Sequence, residues 1–96
     1  MSTQYADTMD IDAGEEIHII CTVKPKCGYH VPFTIKEAKW QLQDAKGQTV
    51  REGDCTIRDH DIDAFIKLEE EGIFYLRYIY KIADETWVDK IRLKVG

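Results

Sequence analysis

Residues 72–82, GIFYLRYIYKI, most constrain what this chain can fold into: Phe74, Leu76, Tyr78, Tyr80 and Ile82 alternate with Tyr75, Arg77, Ile79 and Lys81. A repeat of two puts alternate side chains on opposite faces of an extended chain, so the stretch reads as a long strand with one face in a core. Its second face also carries Tyr75 and Ile79, which makes it a central strand whose outer side is not simply solvated.

The same periodicity orders the rest. Residues 5–11 read as a first edge strand, with Asp7 and Asp10 discouraging edge-to-edge pairing. After the Ala13-Gly14 turn, residues 16–24 read as a strand with Ile17, Ile19, Cys21 and Val23 on one face. Pro25, Gly28 and Pro32 make residues 24–32 the longest expected loop. Residues 33–43 read as a strand with Ala38, Trp40 and Leu42 on one face, although a helix is conceivable there on propensity alone. The turn at Asp44 to Gly47 leads to short strands at 49–51, ending by Gly53, at 54–58 and at 62–68. Ala83-Asp84-Glu85-Thr86 then turns the long strand into a hairpin partner at 87–95, where Trp87, Asp89, Ile91, Leu93 and Val95 share a face.

At 96 residues the chain is expected to form one domain over 5–96 with a frayed tail at 1–4, large enough to close a modest core without a metal or disulfides. The formal charge is −5, and the acidic excess is Asp7, Asp10, Asp12, Glu15 and Glu16, while the remainder is balanced. A neutral body with an acidic entry does not attract phosphate, so no nucleic acid partner is expected. No apolar run reaches the length of a membrane span and the first residues lack the pattern of a secretory signal, so the expectation is cytoplasmic synthesis and no membrane partner. Cys21, Cys27 and Cys55 are odd in number, which suits reduced thiols, with a Cys21 to Cys55 bridge as the alternative.

Residues 13–23, AGEEIHIICTV, resemble the second strand of the immunoglobulin-like superfold; Trp40 stands at the core tryptophan of its third strand; and residues 70–76, EEGIFYL, are similar to the acid-x-Gly-x-Tyr-x-Cys entry to its sixth. Phe74 replaces the corner tyrosine and Leu76 the second cysteine, so the family's inter-sheet disulfide cannot form. The resemblance implies an all-β, antiparallel two-sheet immunoglobulin-like sandwich of about seven strands. Its inner faces would hold Ile17, Ile19, Cys21, Val23, Trp40, Leu42, Ile57, Ile66, Phe74, Leu76, Tyr78, Ile91, Leu93 and Val95. Residues 72–95 also resemble small sandwich proteins encoded in bacterial prophages beside capsid and tail genes, through a G-x-Y-x-L-x-Y-x-Y-x-I strand with Phe74 at the tyrosine position, an acidic turn and a last hairpin strand. That resemblance implies a virion accessory protein carrying no chemistry.

Three constellations could carry chemistry. Asp59, Asp61, Asp63, Ile66 and Glu70 occupy positions 1, 3, 5, 8 and 12 of an EF-hand-type calcium loop, but Ala64 stands where the turn needs glycine and the flanks read as strands. Cys27-x-x-His30 is one zinc half-site, with Cys55, His60, His18 and Cys21 as further ligands; the alternative makes Cys21 and Cys55 small core hydrophobes. For catalysis, Cys27 and His30 could make a thiolate pair, and Ser2 is the only serine; no motif supplies nucleophile, base and oxyanion site together. No catalytic residue, metal or cofactor is therefore assigned, and a non-enzymatic role is expected.

Strand parity selects a surface instead. The outer face of the last hairpin would show Tyr75, Arg77 and Ile79 beside Val88, Lys90 and Arg92, with Lys81 and Lys94 alongside. Apolar groups ringed by Arg and Lys have the composition of a protein-binding patch, unless lysine and arginine stems simply cover them. These six residues are the expected partner-binding set, for an acidic protein partner or for self-assembly. The expected function is a structural or protein-interaction module, most specifically a phage or prophage capsid- or tail-associated protein found on the virion. The alternatives are an adhesion or ligand-binding module of a bacterial surface or carbohydrate-acting assembly, working through the 27–30 loop, and a small metal-dependent enzyme or sensor.

Overall fold

A computed structural model describes residues 8–23 and 34–96. Among them lie eight strands: β1 (Thr8–Ile11), β2 (Glu16–Thr22), β3 (Ile35–Gln43), β4 (Thr49–Asp54), β5 (Thr56–Arg58), β6 (Asp61–Lys67), β7 (Gly72–Ile82) and β8 (Glu85–Val95). They form a five-stranded sheet of order β1-β8-β7-β3-β4 and a three-stranded sheet of order β2-β6-β5, packed as a sandwich. The β3 stretch is a strand and not a helix, as its alternating Ala38, Trp40 and Leu42 require.

Two details depart from an all-antiparallel sandwich of about seven strands. The first strand runs parallel to β8, pairing Thr8 with Arg92 and Ile11 with Val95. The fourth continues through Gly53, and the chain changes sheets just after it: Asp54 pairs with Lys39, the Cys55 amide donates to the Ala38 carbonyl at 3.0 Å, and Thr56 pairs with Asp63 of the other sheet. That change of sheet leaves β5 three residues long, shorter than the 54–58 strand read from sequence.

The turns follow local chemistry. Asp44 Oδ1 accepts the amides of Lys46 at 2.9 Å and Gln48 at 3.0 Å, and Gly47 takes a φ of 85° to close the connection. Asp59, at a φ of 53°, makes the β5–β6 turn, a conformation that aspartate tolerates better than most residues.

The central strand β7 is paired on both sides, with β8 along its whole length and with β3 from Tyr75 to Ile82. Its inner side is the middle of the core: Leu76, Tyr78 and Ile82 are fully buried, as are Ile62 and Leu93. Each such side chain contributes about 1.5–3 kcal/mol. Tyr78 also ties the sheets together, its hydroxyl donating to the Ile19 carbonyl at 2.6 Å. Of the expected inner residues, Ile17, Ile57 and Phe74 are only partly buried, whereas Ile11, Ile35, Tyr80 and Trp87 join the core. Cys21 and Cys55 are free thiols, so the bridged alternative does not hold.

Candidate protein-docking face

The antiparallel register of β7 and β8 sets the six expected surface residues directly opposite one another: Tyr75 faces Arg92, Arg77 faces Lys90, and Ile79 faces Val88. On its other flank β7 meets β3, so Tyr75, Arg77 and Ile79 lie beside Gln43, Gln41 and Lys39. All six are brought together on the outer face of the five-stranded sheet. Tyr75, Arg77, Ile79 and Lys90 are half-buried by their neighbours, while Arg92 and Val88 are exposed, Val88 at 43%.

The electrostatics of this face are uneven. Its centre holds Arg77 and Lys90, a like-charged cross-strand pair, which destabilises an antiparallel sheet. Arg77 donates through Nη1 to Gln41 Oε1 at 3.3 Å, and its Nε is buried without a partner. The acids on this outer face stand towards its margins: Asp10 opposite Lys94, Glu37 at 3.9 Å from Lys81, and Glu52 and Asp54 on β4. The face therefore has a basic, partly apolar centre and acidic edges.

Beneath it, the inner side of β8 carries Asp89, whose Oδ2 accepts the Tyr80 hydroxyl at 2.7 Å and the Cys21 thiol at 3.7 Å. Burial, reinforced by Asp89, pushes the Cys21 thiol up to about 12. Cys55 is pushed up to about 12 by burial and then by Asp63 and Asp54. Burial also drives the Tyr78 and Tyr80 phenols well above the usual range, with Asp89 adding to the effect at Tyr80. At neutral pH burial keeps both thiols protonated.

The acidic stretch 59–70 does not close on a single point. Asp61 and Asp63 leave the outer face of β6 and accept from Thr22 Oγ1 at 2.6 Å and His18 Nδ1 at 3.0 Å. The run from Asp61 to Lys67 is extended, about 20 Å at the usual rise, which carries Glu70 away from Asp59. The calcium-loop spacing is thus a turn followed by a strand. Among the described residues no three His, Cys, Asp or Glu side chains are grouped to hold a metal ion. Cys27 and His30 lie outside the described residues.

One surface feature was missed in the sequence. Ile20 and Phe65, exposed at 57% and 50%, share the outer face of the three-stranded sheet, where the His18 ring lies 4.3 Å from that of Phe65. Its signal was Phe65 falling on the polar side of the Ile62, Ala64, Ile66 alternation.

Fold and surface together define an all-β two-sheet sandwich with a basic, partly apolar sheet face. Compared with family models, curated proteins and solved structures, the chain matches none.

Proposed function

We propose that the protein is a non-enzymatic structural or interaction module that docks an acidic protein partner on the outer face of β7 and β8. The observation that carries this reading is the Arg77–Lys90 pair: two cations held opposite each other, with an unpartnered Arg77 Nε, between the apolar Ile79–Val88 pair and Tyr75. A fold that spends stability on like charges at the centre of a sheet has a reason for them outside the fold, and incoming carboxylates would relieve the repulsion. Tyr75, Ile79 and Val88 would supply the buried apolar contact, and Arg77, Lys90 and Arg92 the charge-assisted hydrogen bonds.

The finer reading is an immunoglobulin-like sandwich acting as a phage or prophage virion accessory protein. It is supported by the residue patterns at 13–23, Trp40 and 70–76 and by the 72–95 pattern shared with prophage sandwich proteins. A synthetic Glu-rich peptide, titrated calorimetrically, is the simplest stand-in for an acidic partner. Binding to the wild type and its loss in Tyr75→Ala/Arg77→Glu, with an unchanged circular dichroism spectrum, supports the reading; equal binding by both proteins counts against this face.

A further inference from the structure

The partner's chemistry can be narrowed, given the docking reading above, because the same molecule carries the complementary surface. Two acidic turns far apart in sequence meet at one end of the sandwich: the Leu68 amide donates to the Glu15 carbonyl at 3.1 Å and the Gly14 amide to the Leu68 carbonyl at 2.6 Å. These bonds join Asp12, Glu15 and Glu16 to Glu69, Glu70 and Glu71 as one exposed acidic pole. Among the described residues Glu69 has Lys67 at 3.4 Å and Arg51 at 4.0 Å, Glu16 stands opposite Lys67 across β2 and β6, and Lys94 borders the recess formed with Asp10, Asp12 and Glu15; Glu70 and Glu71 are exposed at the tip of the pole.

The pole does not neutralise the basic face of its own molecule. Arg77 and Lys90 lie five residues along the strands from the Gly72–Val95 pair at that end. At the usual rise this is about 17 Å, roughly twice the screening length at physiological ionic strength; Arg92 lies three residues from the same pair, about 10 Å, and is the basic residue of the face nearest its own pole. A second molecule has no such constraint, since the pole residues are exposed and Val88 and Arg92 are exposed on the face.

We propose that the Arg77, Lys90 and Arg92 face of one copy binds the acidic pole of another, formed by the 12–16 and 69–71 turns. Donor and acceptor surfaces are different parts of the molecule, so the contact is head-to-side and repeats, giving a ring if the rotation closes and an open chain if it does not. Self-assembly of this kind suits a structural protein.

A charge swap tests it. Light scattering and sedimentation of the wild type at rising concentration should show association that weakens at least about tenfold between low and high salt. Lys90→Glu/Arg92→Glu, and separately Glu70→Lys/Glu71→Lys, should each remain monomeric. An equimolar mixture of the two should assemble again, because each variant then presents a surface complementary to the other. Lys90→Gln/Arg92→Gln and Glu70→Gln/Glu71→Gln serve as milder pairs, each expected to weaken association, should a reversal disturb folding. A wild type that stays monomeric at low salt, association unmoved by the pole substitutions, or failure of the mixture to assemble overturns the proposal. The Glu-rich peptide separates the two readings: peptide binding at the face without self-association leaves docking standing and removes the second copy as partner, whereas neither binding nor association removes both.

Discussion

Replacing Gly53 by alanine tests how the sheet that bears the face is assembled. Gly53 pairs with Trp40 across β3 and β4, and a Cβ there would stand 3.0 Å from the indole Cε2, Cζ2 and Nε1 atoms. Carbon contacts relax at about 3.5–4.0 Å, so the ring would have to retreat by about 0.5 Å or more. Trp40 is only 9% exposed and belongs to the core, which leaves it little room to do so. Overfilling of this kind costs about 1–3 kcal/mol, against about 0.5–1 kcal/mol normally gained on replacing a strand-interior glycine. The net expectation for Gly53→Ala is a loss of up to about 2.5 kcal/mol, or a melting temperature lower by up to about 10–20 °C for a domain of this length. Urea unfolding followed by far-ultraviolet circular dichroism measures it. In a Trp40→Leu background the obstruction is gone, and the same substitution should become neutral or stabilising. A stability gain from Gly53→Ala in the wild-type background would refute the reasoning.

Tyr78→Phe removes the hydroxyl that reaches the Ile19 carbonyl and should lower unfolding free energy by about 1 kcal/mol with little change in the denaturant slope, since the ring still fills its site; an unchanged midpoint would mean the bond contributes nothing. Stability should fall in alkali: the Cys21 and Cys55 thiols stand at about 12 in the fold, against about 8.5 unfolded. Below that lower value both states hold their protons and the full contribution is present. As the pH climbs towards 12 the unfolded chain ionises first, so stability drops by up to about 1.4 kcal/mol per pH unit for a fully buried thiol and less for half-buried Cys55. Urea midpoints between neutral pH and about pH 10.5 read this slope, which Cys21→Ala should flatten; equal slopes in both proteins would contradict the assignment. Lys90→Glu turns a repulsive pair opposite Arg77 into an attractive one and should raise stability by up to about 1 kcal/mol at low salt while weakening Glu-rich peptide binding; unchanged stability at low salt would show that the repulsion is already relieved within the fold.

The fold was legible because its strongest elements alternate, apart from the irregularity between Ile35 and Glu37 at the start of β3. The runs in β2, β3, β7 and β8 each specify one buried face, and a register slip of one residue would expose all of it. Gly53 was harder to read: a glycine ordinarily marks a strand end, and only the tertiary pairing with Trp40 shows why one sits inside β4. The parallel addition of β1 to β8 has no local signature at all, because it depends on where the chain returns after the whole sandwich has formed. The outer face of the last hairpin followed from parity once the hairpin was assumed, whereas which of its residues stand opposite one another comes from the register of the folded sheet. The acidic pole did not, since Glu15 and Leu68 are joined only by backbone hydrogen bonds between distant turns. The 59–70 aspartates show the converse: spacing suited to a calcium loop was produced by strand alternation, with Thr22 and His18 as the partners of Asp61 and Asp63.

The most direct test of the docking face is amide mapping by nuclear magnetic resonance during titration with the Glu-rich peptide. The perturbed amides should cluster on β7 and β8 around Tyr75, Arg77, Ile79, Val88, Lys90 and Arg92, and the perturbations should fade with salt. Perturbations centred on His18, Ile20 and Phe65 of the opposite sheet, or none anywhere, would contradict it.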